Sequence, residues 1–230
     1  IREVRVQDFY MDTIISIQAF GVDEAAVRDA VDEAMEEFSR IQLLTDRYPE
    51  AGTESYRKSE ICRINENAGI QPVPVSKDVL EMVRLSLEYG KRSGGAFNIA
   101  IGGLMDLWGF GQDGVMHVPS EDEIRDRAQS SVLEDVALDE AAGTVFLTSP
   151  GMVLDLGAVA KGYAAEKAAV KLKEAGIKEA LINAGGNIVV IGRKDGTDKW
   201  RIGIEDPRNS GEYIGELLLE DEAAVTSGDY

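Results

Sequence analysis

The hydrophobic period of this chain switches along its length, and that switching limits the fold more than any single motif. Residues 13–20 alternate, with Ile15, Ile17 and Ala19 on one face, as a half-buried strand requires. Gly21 ends that run. Asp23 is placed to cap a helix whose Val27, Val31, Ala34, Phe38 and Ile41 share a face. Residues 48–58 are polar, contain Pro49 and Gly52, and read as a loop. Ser59 can cap a short helix holding Ile61 and Ile64 and closed by Gly69. Ser76 opens another, with Val79, Leu80, Val83 and Leu87 inward, stopping at Gly94-Gly95. Ser120 and Glu123 have capping-box spacing. Residues 135–138 and 144–148 read as a hairpin around Ala142-Gly143, and 152–156 as a further strand. Residues 159–175 carry the helical stripe Ala164, Ala168, Leu172 and end at Gly176. Residues 180–184 and 188–191 read as strands around Gly185-Gly186, and the chain from Trp200 reads as strands. Helices and strands thus mix without a strict βαβ repeat. The expected fold is α+β, not a doubly wound sheet. No fixed-period repeat or low-complexity linker occurs, so a single domain over residues 1–230 is expected.

Charge and composition narrow the function. Among 230 residues the net charge is -18, with 44% hydrophobic and 29% charged residues, a globular profile. So acidic a surface repels phosphate backbones and anionic lipid headgroups, which argues against nucleic-acid binding. A phosphorylated ligand must be drawn in locally, by a metal, backbone N–H groups or a placed Lys. One cysteine, Cys62, excludes an intrachain disulfide framework and CxxC metal chemistry. One histidine, His117, excludes multi-His zinc sites and leaves a Ser-His-Asp triad a single candidate; His117 reads as an ordinary surface residue. No run approaches the roughly 18 apolar residues of a membrane span.

Four segments pair glycine with isolated polar residues. They are Tyr10-Met11-Asp12-Thr13; Ser93-Gly94-Gly95-Ala96-Phe97-Asn98 with Gly102-Gly103-Leu104-Met105-Asp106-Leu107-Trp108-Gly109-Phe110-Gly111; Asp155-Leu156-Gly157-Ala158-Val159-Ala160-Lys161-Gly162-Tyr163-Ala164; and Thr226-Ser227-Gly228-Asp229-Tyr230. Glycine lets backbone approach a flat ring or a phosphate closely. The third runs from a strand into a helix start, where free N–H groups suit phosphate, and Lys161 adds a movable charge. Asp155 can accept from an imide or hydroxyl, or sit near a cation. Neither GxGxxG nor a Walker loop is present. Taken alone, Met11 and Phe97 also suit packing and Lys161 a solvated helix position, while Asp106 and Trp108 read as architectural.

In order, these segments resemble the ApbE family of FAD:protein FMN transferases. Arg47-Tyr48, Ser59-Glu60-Ile61-Cys62-Arg63-Ile64-Asn65, Gly185-Gly186 and Trp200-Arg201-Ile202-Gly203-Ile204-Glu205-Asp206-Pro207 complete the match, which covers nearly the whole chain. The resemblance implies an α+β, T-fold-related arrangement of mixed sheets with packed helices and FAD in a cleft. It implies Mg²⁺-dependent transfer of FMN from FAD to a Thr or Ser hydroxyl of a target flavoprotein, with AMP leaving. Relatives that hydrolyse FAD to FMN and AMP make a pyrophosphatase the alternative, and a non-catalytic FAD-binding protein is a third reading. Carried over by motif position, Met11, Tyr48, Ala96, Phe97, Asn98, Asp155 and Lys161 would contact FAD. Ala158 would give its backbone carbonyl to Mg²⁺, and Asn65 matches a position that influences hydrolysis. An extracytoplasmic location, with membrane tethering through an N-terminal lipid anchor, is a further implication.

The pattern is broken in places. Asp12 stands where the family has glycine, Asn98 where it has Asp, and residues 49–58 look longer than the family norm. Members continue past the position of Tyr230 with residues that complete the metal site. The chain is therefore expected to be C-terminally incomplete and weak or inactive alone.

Overall fold

A computed structural model describes residues 1–110, 118–209 and 211–227. His117 and the stretch Gly228-Asp229-Tyr230, both singled out above, lie outside them, as does Gly111. The chain divides into two compact units, one of residues 1–40 with 161–230 and one of residues 41–160.

The first unit is built on a five-stranded antiparallel sheet. In chain order its strands are β1 (Arg2–Tyr10), β2 (Thr13–Gly21), β6 (Ala180–Ala184), β7 (Asn187–Ile191) and β10 (Ala223–Val225), and they lie side by side in that order. The alternation of β2 does what it predicts. Ile15, Ile17 and Ala19 are buried, facing Ala184, Ile182 and Ala180 across the ladder. On the opposite face Leu181 pairs with Val190. There Phe20, Leu181 and Ile188 pack with Trp200, Ile202 and Leu219 from a two-stranded ribbon of β8 (Trp200–Glu205) and β9 (Tyr213–Leu219). Strand β1 was not legible in the sequence. Only Val4 is buried along it, because an edge strand whose outward positions are charged lacks a full apolar face.

The β1–β2 turn is two residues long, with Tyr10 opposite Thr13. Both turn residues are left-handed, Met11 at φ 52° and Asp12 at φ 59°. Tight hairpins need this geometry, and glycine adopts it without a Cβ penalty. The glycine that the resemblance implies at position 12 thus has a backbone reason. Asp12→Gly is expected to stabilise the protein by about 0.5–1 kcal/mol, the relief of left-handed strain less the added freedom of the unfolded chain. A urea midpoint that falls in this variant would refute that account.

Two long helices match their periodicity. Helix α1 (Glu24–Thr45) begins where the Asp23 carboxylate accepts from the N–H groups of Ala25 and Ala26, at 3.0 and 3.3 Å. It buries Val27, Val31, Ala34, Phe38 and Ile41. Helix α7 (Gly157–Glu174) buries Ala164, Ala168 and Leu172, and Gly176 follows at φ 83°.

The second unit is mostly helical around a three-stranded sheet. Its elements are α2 (Glu54–Lys58), α3 (Glu60–Glu66), β3 (Val73–Pro74), α4 (Lys77–Arg92), α5 (Gly102–Leu107), α6 (Glu121–Ala128), β4 (Val136–Asp139) and β5 (Thr144–Leu147), with sheet order β3-β5-β4. The expected caps are present. Ser59, Ser76 and Ser120 each accept from an N–H in the first turn, and Ser120 with Glu123 closes a capping box.

Three local expectations are corrected. Residues 48–58 are not all loop. Thr53 caps the helical turn α2, and Lys58 pairs with Glu54 one turn back at 2.7 Å. On α4, Met82 and Ser86 are buried, whereas Leu80 and Leu87 are only half-buried. Residues 152–156 form no strand. Met152, Leu154 and Leu156 are buried alternately as predicted, but the backbone partners are not a ladder. They are an isolated bridge from Val153 to Ile101, a bond from Asp155 N–H to the Ile99 carbonyl at 2.8 Å, and the side chain of Asn65. The α+β expectation itself is borne out.

Candidate functional site

In the second unit the chemistry gathers around one buried cation. Arg47 follows the end of α1, and its side chain is only 5% exposed. Its Nη2 donates to Asp106 Oδ1 at 2.6 Å and to the Tyr48 hydroxyl, and its Nε lies 3.2 Å from Asp155 Oδ2. That last approach makes no hydrogen bond, so among the described residues the buried donors Nε and Nη1 find no acceptor. The Tyr48 hydroxyl lies 2.6 Å from Asp106 Oδ1 and 3.0 Å from the Phe110 carbonyl, and the Tyr48 ring lies under the guanidinium. Asp106, Asp155 and Tyr48 all reach solvent, so a buried positive charge underlies three partly exposed polar tips. Gly102 makes room for it, since a Cβ there would overlap Nη1.

Asp155 is held from two sides. Its Oδ1 accepts from Gly157 N–H at 2.7 Å at the start of α7. Its neighbour Leu154, fully buried, is clasped by Asn65. Leu154 N–H donates to Asn65 Oδ1 at 2.7 Å, and Asn65 Nδ2 donates to the Leu154 carbonyl at 3.1 Å. A side-chain amide here does the work of a neighbouring strand.

A cleft of about 260 Å³ is lined by Arg47, Tyr48, Tyr56, Cys62, Asn65, Glu66, Asp106 and Val153. Tyr56 donates to Glu66, whose carboxylate holds the phenol above its usual pKa. Burial pushes the Cys62 thiol up, which suits a packed rather than a nucleophilic thiol.

Of the sequence-predicted residues, Tyr48 and Asn65 line this cleft and Asp155 meets it through Arg47. Ala96, Phe97, Asn98 and Ala158 belong to the same unit but do not line it. Ala96 and Ala158 are exposed, and Phe97 is half-buried beside a turn in which its N–H donates to Ser93 Oγ. Asn98 donates from Nδ2 to the Ser131 carbonyl and accepts from Ala100 N–H, both at 2.8 Å. The donor half of that pair is available to Asn and not to a carboxylate, which gives the departure from Asp a local reason. Arg47, quoted above only within a motif, and Asp106, read as architectural, prove to be the centre of the cluster. No periodicity marks them. The cue was a buried-length Arg beside an aromatic, with a lone Asp in a glycine-led helix.

Met11 and Lys161 belong to the first unit. There the Met11-Asp12 turn, the turn Gly185-Gly186 and Thr226 share one end of the five-stranded sheet. Gly185 and Gly186 are left-handed, and a Cβ on Gly185 would overlap Thr13 Oγ1. Thr226 N–H donates to the Gly186 carbonyl at 3.2 Å. Motifs far apart in sequence are thus brought together in each unit.

Among the described residues, no three His, Cys, Asp or Glu side chains converge on a metal position. Mg²⁺ usually takes one or two protein ligands, completing its shell with water and substrate phosphate. Ala158 is an exposed residue in the first turn of α7, three residues after the partly exposed Asp155, and no protein cage surrounds it among the described residues.

A mixed α+β chain with glycine-bounded polar turns gathered in each unit is the class that fold and site define. The model of the ApbE family matches residues 11–230, and the chain belongs to that family. It is 38% identical over 200 residues to an FAD:protein FMN transferase of Klebsiella pneumoniae, covering 86% of this chain and 60% of the relative. It is 30% identical to one of Treponema pallidum, covering 100% of this chain and 66% of the relative. The chain therefore spans less than two thirds of the length of either. The crystal structure of the ApbE protein from Thermotoga maritima superposes with a TM-score of 0.88 at 27% identity, covering 100% of this chain and 71% of that one. The flavin transferase ApbE of Vibrio cholerae gives 0.83 at 25%, covering 99% and 72%.

Proposed function

We propose that this chain carries the FAD-handling part of a flavin transferase that moves FMN from FAD to a Thr or Ser hydroxyl of a target flavoprotein. The acceptor oxygen forms a bond to the FMN phosphorus, the bond from that phosphorus to the bridging oxygen of AMP breaks, AMP leaves, and the hydroxyl proton is released. The reading rests on one observation: in a chain that the ApbE family model matches over residues 11–230, Tyr48, Asp106 and Asp155 from three separate motifs converge around Arg47 in one unit, and the Met11-Asp12 turn, Gly185-Gly186 and Thr226 share a sheet end in the other.

In this reading Asp155 and Tyr48 bind and orient FAD, with Met11, Ala96, Phe97, Asn98 and Lys161 as further contacts. Asp155 has its Oδ1 engaged by Gly157 N–H, so an incoming donor would meet the solvent side of the carboxylate. Lys161 brings a positive charge to an otherwise strongly acidic chain. Mg²⁺, held in part by the Ala158 carbonyl, would neutralise pyrophosphate charge when bound. The family resemblance also supports an extracytoplasmic location, which fractionation of the source cells would test.

The deciding assay incubates the protein with FAD and Mg²⁺, with and without a candidate acceptor flavoprotein, and follows AMP and acceptor mass. An acceptor heavier by FMN minus water, together with AMP, is the expected result, weak for these 230 residues and strong when the chain is carried to the length of its relatives, and EDTA should abolish both. AMP without a modified acceptor would replace transfer by FAD hydrolysis. Bound FAD with no AMP would reduce the chain to a flavin-binding module.

A further inference from the structure

We infer that Arg47 is a positioning residue for flavin binding: it never touches FAD, and it acts by fixing the Asp155 carboxylate from below. The inference rests on the reading of Asp155 as an FAD contact.

Arg47 lines the cleft, but burial argues against its guanidinium meeting FAD directly. The Arg47 side chain is 5% exposed, and its Nε and Nη1 are sealed from solvent. Nη2 makes the hydrogen bonds of this guanidinium, while Nε and Nη1 find no acceptor among the described residues, so its charge more than its full set of donors accounts for its place there. What it does have is two carboxylates, from α5 and from the 152–156 segment, that would otherwise repel each other. Asp106 takes Nη2 at 2.6 Å, and Asp155 Oδ2 faces Nε at 3.2 Å. The Asp155 backbone is already pinned by its N–H bond to the Ile99 carbonyl, and Oδ1 by Gly157. The direction of Oδ2 is the freedom that remains, and the buried charge sets it. Asp155 is 23% exposed, so the oxygen so directed is within reach of a ligand. The glycine at 102 is the matching accommodation, leaving space for Nη1 where any Cβ would collide.

A double-mutant cycle on the 230-residue chain tests this, with FAD as the probe and flavin fluorescence quenching as the readout. Asp155→Asn is expected to weaken FAD binding about ten-fold, the order of one hydrogen bond to a charged group. Arg47→Met should weaken it by a similar factor. Arg47→Met combined with Asp155→Asn should be no weaker than either alone, since both remove the same directed charge. If the two losses multiply in the double variant, Arg47 acts independently of Asp155 and the inference fails. If Asp155→Asn leaves FAD affinity unchanged, the flavin-contact reading of Asp155 fails first and takes this inference with it, so the two failures are told apart. Should Arg47→Met not fold, the cycle is run with Arg47→Lys, which keeps a buried cation but lacks the planar fork that reaches Asp106, Tyr48 and Asp155 together. The same non-multiplying pattern is expected there, and a multiplying one is equally fatal.

Discussion

Asn65→Ala is expected to destabilise the protein by about 2–4 kcal/mol, because it strands both backbone groups of a buried residue. Leu154 is fully buried, and its N–H and carbonyl are held by the two ends of the Asn65 amide. No ladder strand stands ready to replace them, since among the described residues the strand-type pairing of 152–156 is limited to the isolated bridge from Val153 to Ile101. Asn65→Asp should fall between wild type and Asn65→Ala. It keeps an acceptor for the Leu154 N–H, but sets a carboxylate oxygen against the Leu154 carbonyl. Urea unfolding should show the midpoint falling with the slope unchanged, the sign of lost stability rather than an altered denatured state. A loss below about 1 kcal/mol in Asn65→Ala would mean that the clasp carries little and that another group satisfies Leu154. Because Leu154 precedes Asp155, the same substitution should also weaken FAD binding under conditions where the variant is folded. That links a packing contact to the position that the resemblance associates with hydrolysis.

Gly102→Ala carries the second large effect, about 2–3 kcal/mol of destabilisation from overpacking. Its Cβ would stand 2.7 Å from Val153 Cγ1, 2.8 Å from the Val153 carbonyl oxygen, and on top of Arg47 Nη1. The carbonyl belongs to the backbone and accepts from Gly102 N–H itself at 2.9 Å, so it cannot step aside without breaking that bond. Gly103 is the internal control. The three atoms nearest a Cβ there all belong to the guanidinium end of Arg127, a flexible side chain that can step aside, so Gly103→Ala should cost less than about 1 kcal/mol. Thermal melts of the two variants side by side decide the matter. Equal losses would show that glycine is needed at 102 for helix geometry alone and not for the room it leaves Arg47.

Much of the fold was legible because burial and period coincide there. Ile15, Ile17 and Ala19 alternate and are buried; Val27, Val31, Ala34, Phe38 and Ile41 recur at helical spacing and are buried. Serines at 59, 76 and 120 cap helices because a hydroxyl at that position answers an orphan N–H whatever the rest of the chain does. Strand β1 was missed because its partner is eleven or more residues away along most of its length and its outward face is solvated. The 152–156 segment was misread for a related reason: alternation reports which side chains are buried, not which backbone groups they pair with.

The site divides the same way. The glycine turns at 185–186 and the polar run from Asp155 were visible as sequence, and the order of motifs pointed to the ApbE family before any contact was known. Sequence determined the elements, their caps and the left-handed turns, all of which depend on interactions within a few residues. Tertiary structure alone decided that Arg47 would be buried, that Asp106 and Asp155, 49 residues apart in numbering, would share its guanidinium, and that Asn65 would stand in for a strand beside Leu154. Those pairings join residues whose separation in the chain is far beyond any local propensity. They exist because one buried charge and two buried backbone groups must find partners wherever the packed core brings them within reach.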